Sequence, residues 1–276
     1  MNNTVKGMTS FFIFLAVLYG FLILFFYFFQ SVLLFFPQPL SSRIEMNGKT
    51  EEIKIKSSDG NVLHGWLCHT GRNGPQKLII YFGGNAEEVS HMIPVASMFE
   101  DWAMLLINYP GYGRSEGKPG QESFYNAALA IYDYAAKRDD IDTSNIILMG
   151  RSIGSGSAVY LAHERQVKSL ILISPFESIR AVAKSKLPFI PVSLILRHHF
   201  SSKEFAVNID IPLLAIYGAA DNIIPPVHSR RFAEYWRGEK KLIGLPSFGH
   251  NDIFLSNQLW REIEEFLKNP DELSGV

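Results

Sequence analysis

Five short, predominantly apolar runs constrain this chain more than any other feature: 77–82, 103–108, 146–149, 169–173 and 212–217. Runs of this length without polar alternation are what strands buried on both faces look like, as in a parallel sheet. Helical patterns fill the gaps at 87–100, 123–137, 154–165, 227–237 and 258–268, and 240–243 is a last, weaker strand. Ahead of them, 51–56 alternates charged residues with Ile. The turn Ser58-Asp59-Gly60-Asn61 leads into 62–67, which predicts a hairpin. The alternation predicts an α/β fold, a mostly parallel, doubly wound sheet with right-handed crossovers. One interval breaks the rhythm. Residues 176–208 are longer than a simple crossover, and their proline-punctuated apolar patch at 187–196 predicts a small cap over a site.

The amino-terminal part follows another rule. Residues 11–36 carry no charge and hold ten of the 21 phenylalanines. As a helix this stretch would be roughly 39 Å long, against about 20 residues needed to cross a bilayer core of about 30 Å. Gly20, Gln30 and Ser31 interrupt it, as a lipid-facing helix tolerates, and Pro37 and Pro39 stop it. A cleaved signal peptide would have a shorter apolar core and a small-x-small site. Residues 31–35 (Ser-Val-Leu-Leu-Phe) offer none. The reading is an uncleaved single-pass transmembrane helix. The chain divides into a tail at 1–10, the anchor at 11–36, a linker at 37–50 and one folded domain at 51–276. Lys6 precedes the helix, whereas Arg43, Lys49, Lys54 and Lys56 follow it, which favours the cytoplasmic side for the domain. Glu45, Glu51 and Glu52 lie among those charges and leave the side open.

Charge and cysteine count narrow the function. There are 26 Lys and Arg against 27 Asp and Glu, formally −1, so no basic excess exists to neutralise phosphates and no nucleic-acid partner is expected. Cys68 is the single cysteine, which excludes an internal disulfide and a cysteine-built zinc site.

The chemistry centres on Gly150-Arg151-Ser152-Ile153-Gly154, a G-x-S-x-G placed between the strand at 146–149 and the helix at 154–165. That strand–turn–helix setting is what a nucleophile elbow requires, with glycines letting the chain fold tightly around a projecting serine. The Ile153 N–H then faces a substrate carbonyl at a helix N-terminus, which favours negative charge. A serine hydroxyl needs a base. Of eight histidines, His250, in the loop between the last strand and the last helix, stands where this fold presents one. His198 and His199 are adjacent in the cap, but no third residue completes a metal site, and none is expected. The acid that orients the base is Asp221, after the strand at 212–217, in the chain order serine, acid, histidine. Glu177, Asp210 and Asp252 compete: Glu177 follows the preceding strand, Asp210 lies at the wrong sheet edge, and Asp252 suits capping of the last helix. A second oxyanion donor is assigned to the Asn85 backbone in Gly83-Gly84-Asn85-Ala86, whose side chain has the alternatives of pinning its loop or capping the next helix.

Taken together these segments resemble the membrane-anchored serine hydrolases of the alpha/beta-hydrolase-domain type and their bacterial relatives. The resemblance runs through Phe36-Pro37, Asp59-Gly60, Leu63-His64-Gly65-Trp66, Gly84-Asn85-Ala86 and Tyr109-Pro110-Gly111-Tyr112-Gly113-Arg114-Ser115. It continues through the Ser152 motif, Gly218 to Asp221 with Pro225, and Gly249-His250-Asn251-Asp252. Gly83 stands where histidine is usual before Gly-Asn, and Pro110 where arginine is common. The resemblance implies an α/β-hydrolase domain that cleaves carboxylic esters or thioesters of acyl substrates. It implies no metal and no organic cofactor. The anchor and the apolar cap favour a membrane-derived acyl chain. An aminopeptidase-like hydrolase and a non-catalytic binding protein on the same fold are the alternatives.

Overall fold

Alternating side chains along each central strand feed two separate cores. In the computed structural model, which describes residues 3–40 and 48–271, Leu78, Ile80 and Phe82 face one core while Ile79 and Tyr81 face the other. A strand with both faces covered has no place for polar alternation, which is why 77–82 reads as one apolar run. Among the described residues, eight strands make a single sheet. They are β1 (Thr50–Lys56), β2 (Val62–Cys68), β3 (Gln76–Phe82), β4 (Trp102–Ile107), β5 (Ile141–Arg151), β6 (Ser169–Ile173), β7 (Leu213–Gly218) and β8 (Lys240–Leu245). Their order is β1-β2-β4-β3-β5-β6-β7-β8, antiparallel at β1–β2 and β2–β4 and parallel elsewhere.

The chain opens with α1 (Asn3–Leu34). Later come α2 (Ile93–Ala96), α3 (Gln121–Ala135), α4 (Ile153–Glu164), α5 (Ile179–Lys186), α6 (Val192–Ile195), α7 (Ser202–Ala206), α8 (Pro226–Tyr235) and α9 (Asn257–Lys268). Phe124 of α3, Leu161 of α4 and Phe232 of α8 enter one core; Ala96 of α2 and Ile263 of α9 enter the other.

Several expectations are corrected. The single helix predicted over 87–100 is a 3₁₀ turn, Val89–Met92, followed by the short α2. Pro94 has no N–H to give to a preceding turn, so the helix restarts there. β5 begins earlier than 146 because Ile141 pairs with Gln76 ahead of a register shift. The region 176–208 is not all cap, since Phe205 of α7 packs its ring against Tyr160 of α4. Helix α1 takes in most of the tail at 1–10 and stops before 36. Phe36 precedes Pro37 and is disfavoured from helix, and Phe35 leaves the helix to pack against Phe124, 5.3 Å between ring centres. Gln30 and Ser31 do not face lipid: Gln30 donates to Ile195 O at 3.0 Å and accepts from Arg197 N at 2.6 Å, and Ser31 Oγ meets His198 Nε2 at 2.9 Å. The central part of the linker expected at 37–50, with Arg43 and Glu45, lies outside the described residues.

Candidate active site

At the end of β5 the chain reverses through Ser152, held at φ 51° and ψ −120°. A serine in that region is strained, by about 1–3 kcal/mol on general grounds. Its neighbours leave no room for side chains: a Cβ on Gly154 would lie 2.1 Å from Phe82 O, and one on Gly150 2.6 Å from Gly154 O. The backbone is secured by Ser152 N donating to Ile173 O at 2.8 Å. The turn thus lifts the hydroxyl off the sheet edge while α4 starts at Ile153. As first residue of a helix, Ile153 has an N–H without an intrahelical acceptor.

His250 lies between β8 and α9, and its Nε2 is 3.0 Å from Ser152 Oγ. Its Nδ1 is 2.7 Å from Asp221 Oδ2. Asp221 follows β7, and its Oδ1 accepts from the N–H groups of Ile223 at 2.9 Å and Ile224 at 2.8 Å. Ser152, Asp221 and His250 are 6 %, 4 % and 9 % exposed, so the array is shielded from water. Burial pushes the Asp221 carboxyl up, but the hydrogen bond and charge of His250 and the two backbone N–H groups outweigh it and hold it below the usual range.

The other acids go elsewhere. Glu177 holds His228 Nδ1 through both oxygens at 2.9 and 3.0 Å, and His228 Nε2 meets Ser185 Oγ at 3.2 Å. This second serine–histidine–carboxylate array has no elbow, and Ser185 donates to Val182 O at 2.7 Å on the exposed side of α5. Asp252 does not cap α9, since Ser256 does; it accepts from Gly249 N at 2.7 Å and so braces the His250 loop. Asp210 lies ahead of β7, away from the site. His64, His69, His91 and His163 pair with Glu52, Glu51, Glu87 and Glu164, and His199 meets Leu196 O.

Asn85 pins the loop it sits on. Its Oδ1 accepts from Tyr112 OH at 2.9 Å and from Phe36 N at 3.0 Å, and its Nδ2 donates to Leu34 O at 2.5 Å. The end of α1 is therefore fastened to this loop. Sequence reasoning missed the pair that braces it from below. Glu87 Oε2 accepts from Gly84 N at 2.6 Å and from Arg151 Nη1 at 2.9 Å, and Arg151 Nη2 donates to His250 O at 3.0 Å. One buried ion pair thus ties together the Gly83–Ala86 turn, the elbow and the histidine loop. It does so where Gly83 leaves no histidine to brace the turn. Arg151, the variable position of G-x-S-x-G, was the available signal. Glu87→Ala is expected to lower the unfolding free energy by about 3–5 kcal/mol, because it leaves a largely buried guanidinium unpaired; urea denaturation in detergent measures it.

Residues 77–191 match the family described as alpha/beta hydrolase fold. The uncharacterized protein Rv2307c of Mycobacterium tuberculosis is 31% identical over 229 residues, covering 81% of each chain. Protein bem46 of Schizosaccharomyces pombe is 27% identical over 283 residues, covering 96% of this chain and 93% of its own, a match too long to leave out α1. Among solved structures, the Pyrococcus furiosus esterase PF2001 superposes with a TM-score of 0.65 at 17% identity, over 84% of this chain and 96% of that one.

Proposed function

This chain belongs to the alpha/beta hydrolase fold family, and from that premise we propose that it is a membrane-anchored serine hydrolase. It cleaves carboxylic ester or thioester bonds of acyl, lipid-like substrates. The observation that carries the proposal is the continuous hydrogen-bonded line from Ser152 Oγ through His250 to Asp221, at 3.0 and 2.7 Å, built on a strained turn.

Ser152 Oγ attacks the acyl carbonyl carbon while His250 Nε2 takes the hydroxyl proton. Asp221 keeps the Nδ1–H tautomer in place and stabilises the imidazolium that forms. The carbonyl oxygen becomes an oxyanion, held by the N–H groups of Ile153 and Asn85. Gly84 N–H is taken by Glu87, which is consistent with the assignment of Asn85 N–H as the donor from that turn. The tetrahedral adduct expels the alcohol or thiol, protonated by His250, and leaves an acyl-Ser152 ester. Water, deprotonated by His250, then releases the acid and restores the serine.

What favours an uncleaved anchor is the use the folded domain makes of α1. Cleavage would strip Asn85 of its partners at Leu34 and Phe36, and the cap of Gln30 and Ser31.

A fluorophosphonate probe is expected to label the wild type and not Ser152→Ala. Labelling that survives the substitution would refute the assignment, and an unlabelled wild type would point to a non-catalytic binding protein. Turnover of p-nitrophenyl esters of graded chain length, against an aminoacyl amide, tests the substrate class. A preference for the amide would favour the aminopeptidase-like reading.

A further inference from the structure

Resting on the reading of α1 as a membrane anchor, we infer that the cap is also embedded in the bilayer, with residues 187–196 in the leaflet beside the domain.

Charge along α1 locates the two interfaces. Within the described helix Lys6 is the sole charged residue. Near the domain end, Arg197 lies over the Tyr27 ring, 5.3 Å from its centre, and its Nη2 donates to Tyr27 O at 3.4 Å. Tyrosine and arginine both place apolar bodies in lipid and polar tips in headgroups. From Lys6 to Tyr27 the axis rises about 32 Å, close to a hydrocarbon thickness of about 30 Å. The headgroup level on the domain side is therefore that of Tyr27 and Arg197.

The cap crosses that level. Tyr19 OH donates to Phe189 O at 2.6 Å. Tyr19 precedes Tyr27 by about 12 Å of helix axis, so the backbone at Phe189 lies that far beyond the headgroups, at hydrocarbon depth. The side chains agree. Phe189 is 86 % and Leu194 85 % exposed to whatever surrounds the protein, and the run Leu187 to Leu196 contains no charged residue. Charges return just outside it, at Lys184, Lys186 and Arg197. Scattered exposed apolar residues need no explanation, but this patch is continuous with the flank of a membrane helix. On the domain side, Leu34 is held by Asn85, about 10 Å along the axis from Tyr27. The embedded surface and the proposed oxyanion turn are thus joined through one helix.

The test uses the full chain with single cysteines at Phe189, Leu194, Phe14 and Lys137. Each is labelled with the fluorophore NBD and reconstituted into phosphatidylcholine vesicles containing acyl-chain doxyl lipid. Cys68 does not compete for label at neutral pH, because burial pushes its thiol up to about 11. Lys137 is exposed between α3 and β5, at the sheet edge opposite Ser152. Quenching at Phe189→Cys and Leu194→Cys is expected to match that at Phe14→Cys and to exceed that at Lys137→Cys severalfold. Quenching at Phe14→Cys alone would overturn the embedded cap while leaving the anchor. A second copy covering the patch would give that same pattern. Absence of quenching at Phe14→Cys would overturn both, and fluorophosphonate labelling would still report on Ser152.

Discussion

Ester turnover by Ser152→Ala is expected to fall by about 10⁶-fold in kcat, the scale on which nucleophile loss acts when the residues work as a unit. The substitution removes one atom from the turn. The backbone bond from Ser152 N to Ile173 O remains, and alanine meets the same φ of 51° as serine. KM and the thermal transition are therefore expected to stay near wild type, so the loss reads as chemistry. About 10³–10⁴-fold acceleration over water would persist if the two N–H donors and substrate binding still act. Ser185→Ala is the informative contrast. Ser185 also faces a histidine paired to a carboxylate, but it lies on an exposed helix surface without a strained turn. Its kcat is expected to match wild type. Loss in Ser185→Ala with retention in Ser152→Ala would place the nucleophile at the other array.

Asp221→Asn is expected to lower kcat by about 10⁴-fold at neutral pH with KM little changed, as a wrong-tautomer effect does. Asparagine Oδ1 can keep the bonds from Ile223 N and Ile224 N. Its amide group then faces His250 Nδ1 as a donor. The imidazole answers by carrying its proton on Nε2, pointed at Ser152 Oγ, where it cannot accept one. The pH dependence follows from the lowered Asp221 pKa. A carboxyl held below its unfolded value, about 3.9 in the unfolded chain, stabilises the fold above that pH. The contribution is lost as pH falls through the lower, folded value. Between pH 5 and 9, on the order of the usual assay window, Asp221 stays ionised and adds no limb to the wild-type rate profile. Below about pH 4 the wild type is expected to lose stability more steeply than Asp221→Asn, a difference visible in acid melts.

The succession of strands along the chain and the loops bearing Ser152, Asp221 and His250 were legible because each rests on a local signal. Buried strands are short apolar runs, the elbow is a strand followed by closely spaced glycines, and the acid and base follow the last two strands. Pro94 was also local, and reading it would have divided the helix over 87–100. The bracing pair was harder to see. Glu87 sits next to Glu88 in a polar stretch, and nothing in the sequence says which carboxylate turns inward to meet Arg151. Asn85 was visible as a loop residue. Its grip on Leu34 and Phe36 depends on bringing together residues 51 and 49 positions apart, which no spacing rule reports. Gln30 and Ser31 read as tolerated polar interruptions in an apolar helix. Their partners at Ile195, Arg197 and His198 lie at the far side of the fold in sequence.

Hydrogen bonds at Asn85 and along the cap couple α1 to the domain. On the anchoring proposed above, the span from Lys6 to Tyr27 is about 32 Å, which a hydrocarbon core of about 30 Å matches upright. In a thinner membrane the same span has surplus length, and membrane helices with surplus length lean. Here the lean is not taken up by a hinge at the helix end, because Asn85 holds both Leu34 and Phe36. A thinner membrane would therefore tip the whole domain and change the height of Ser152 above the headgroups. On the proposed reading of α1 as an anchor, bilayer thickness becomes a mechanical input to the proposed chemistry.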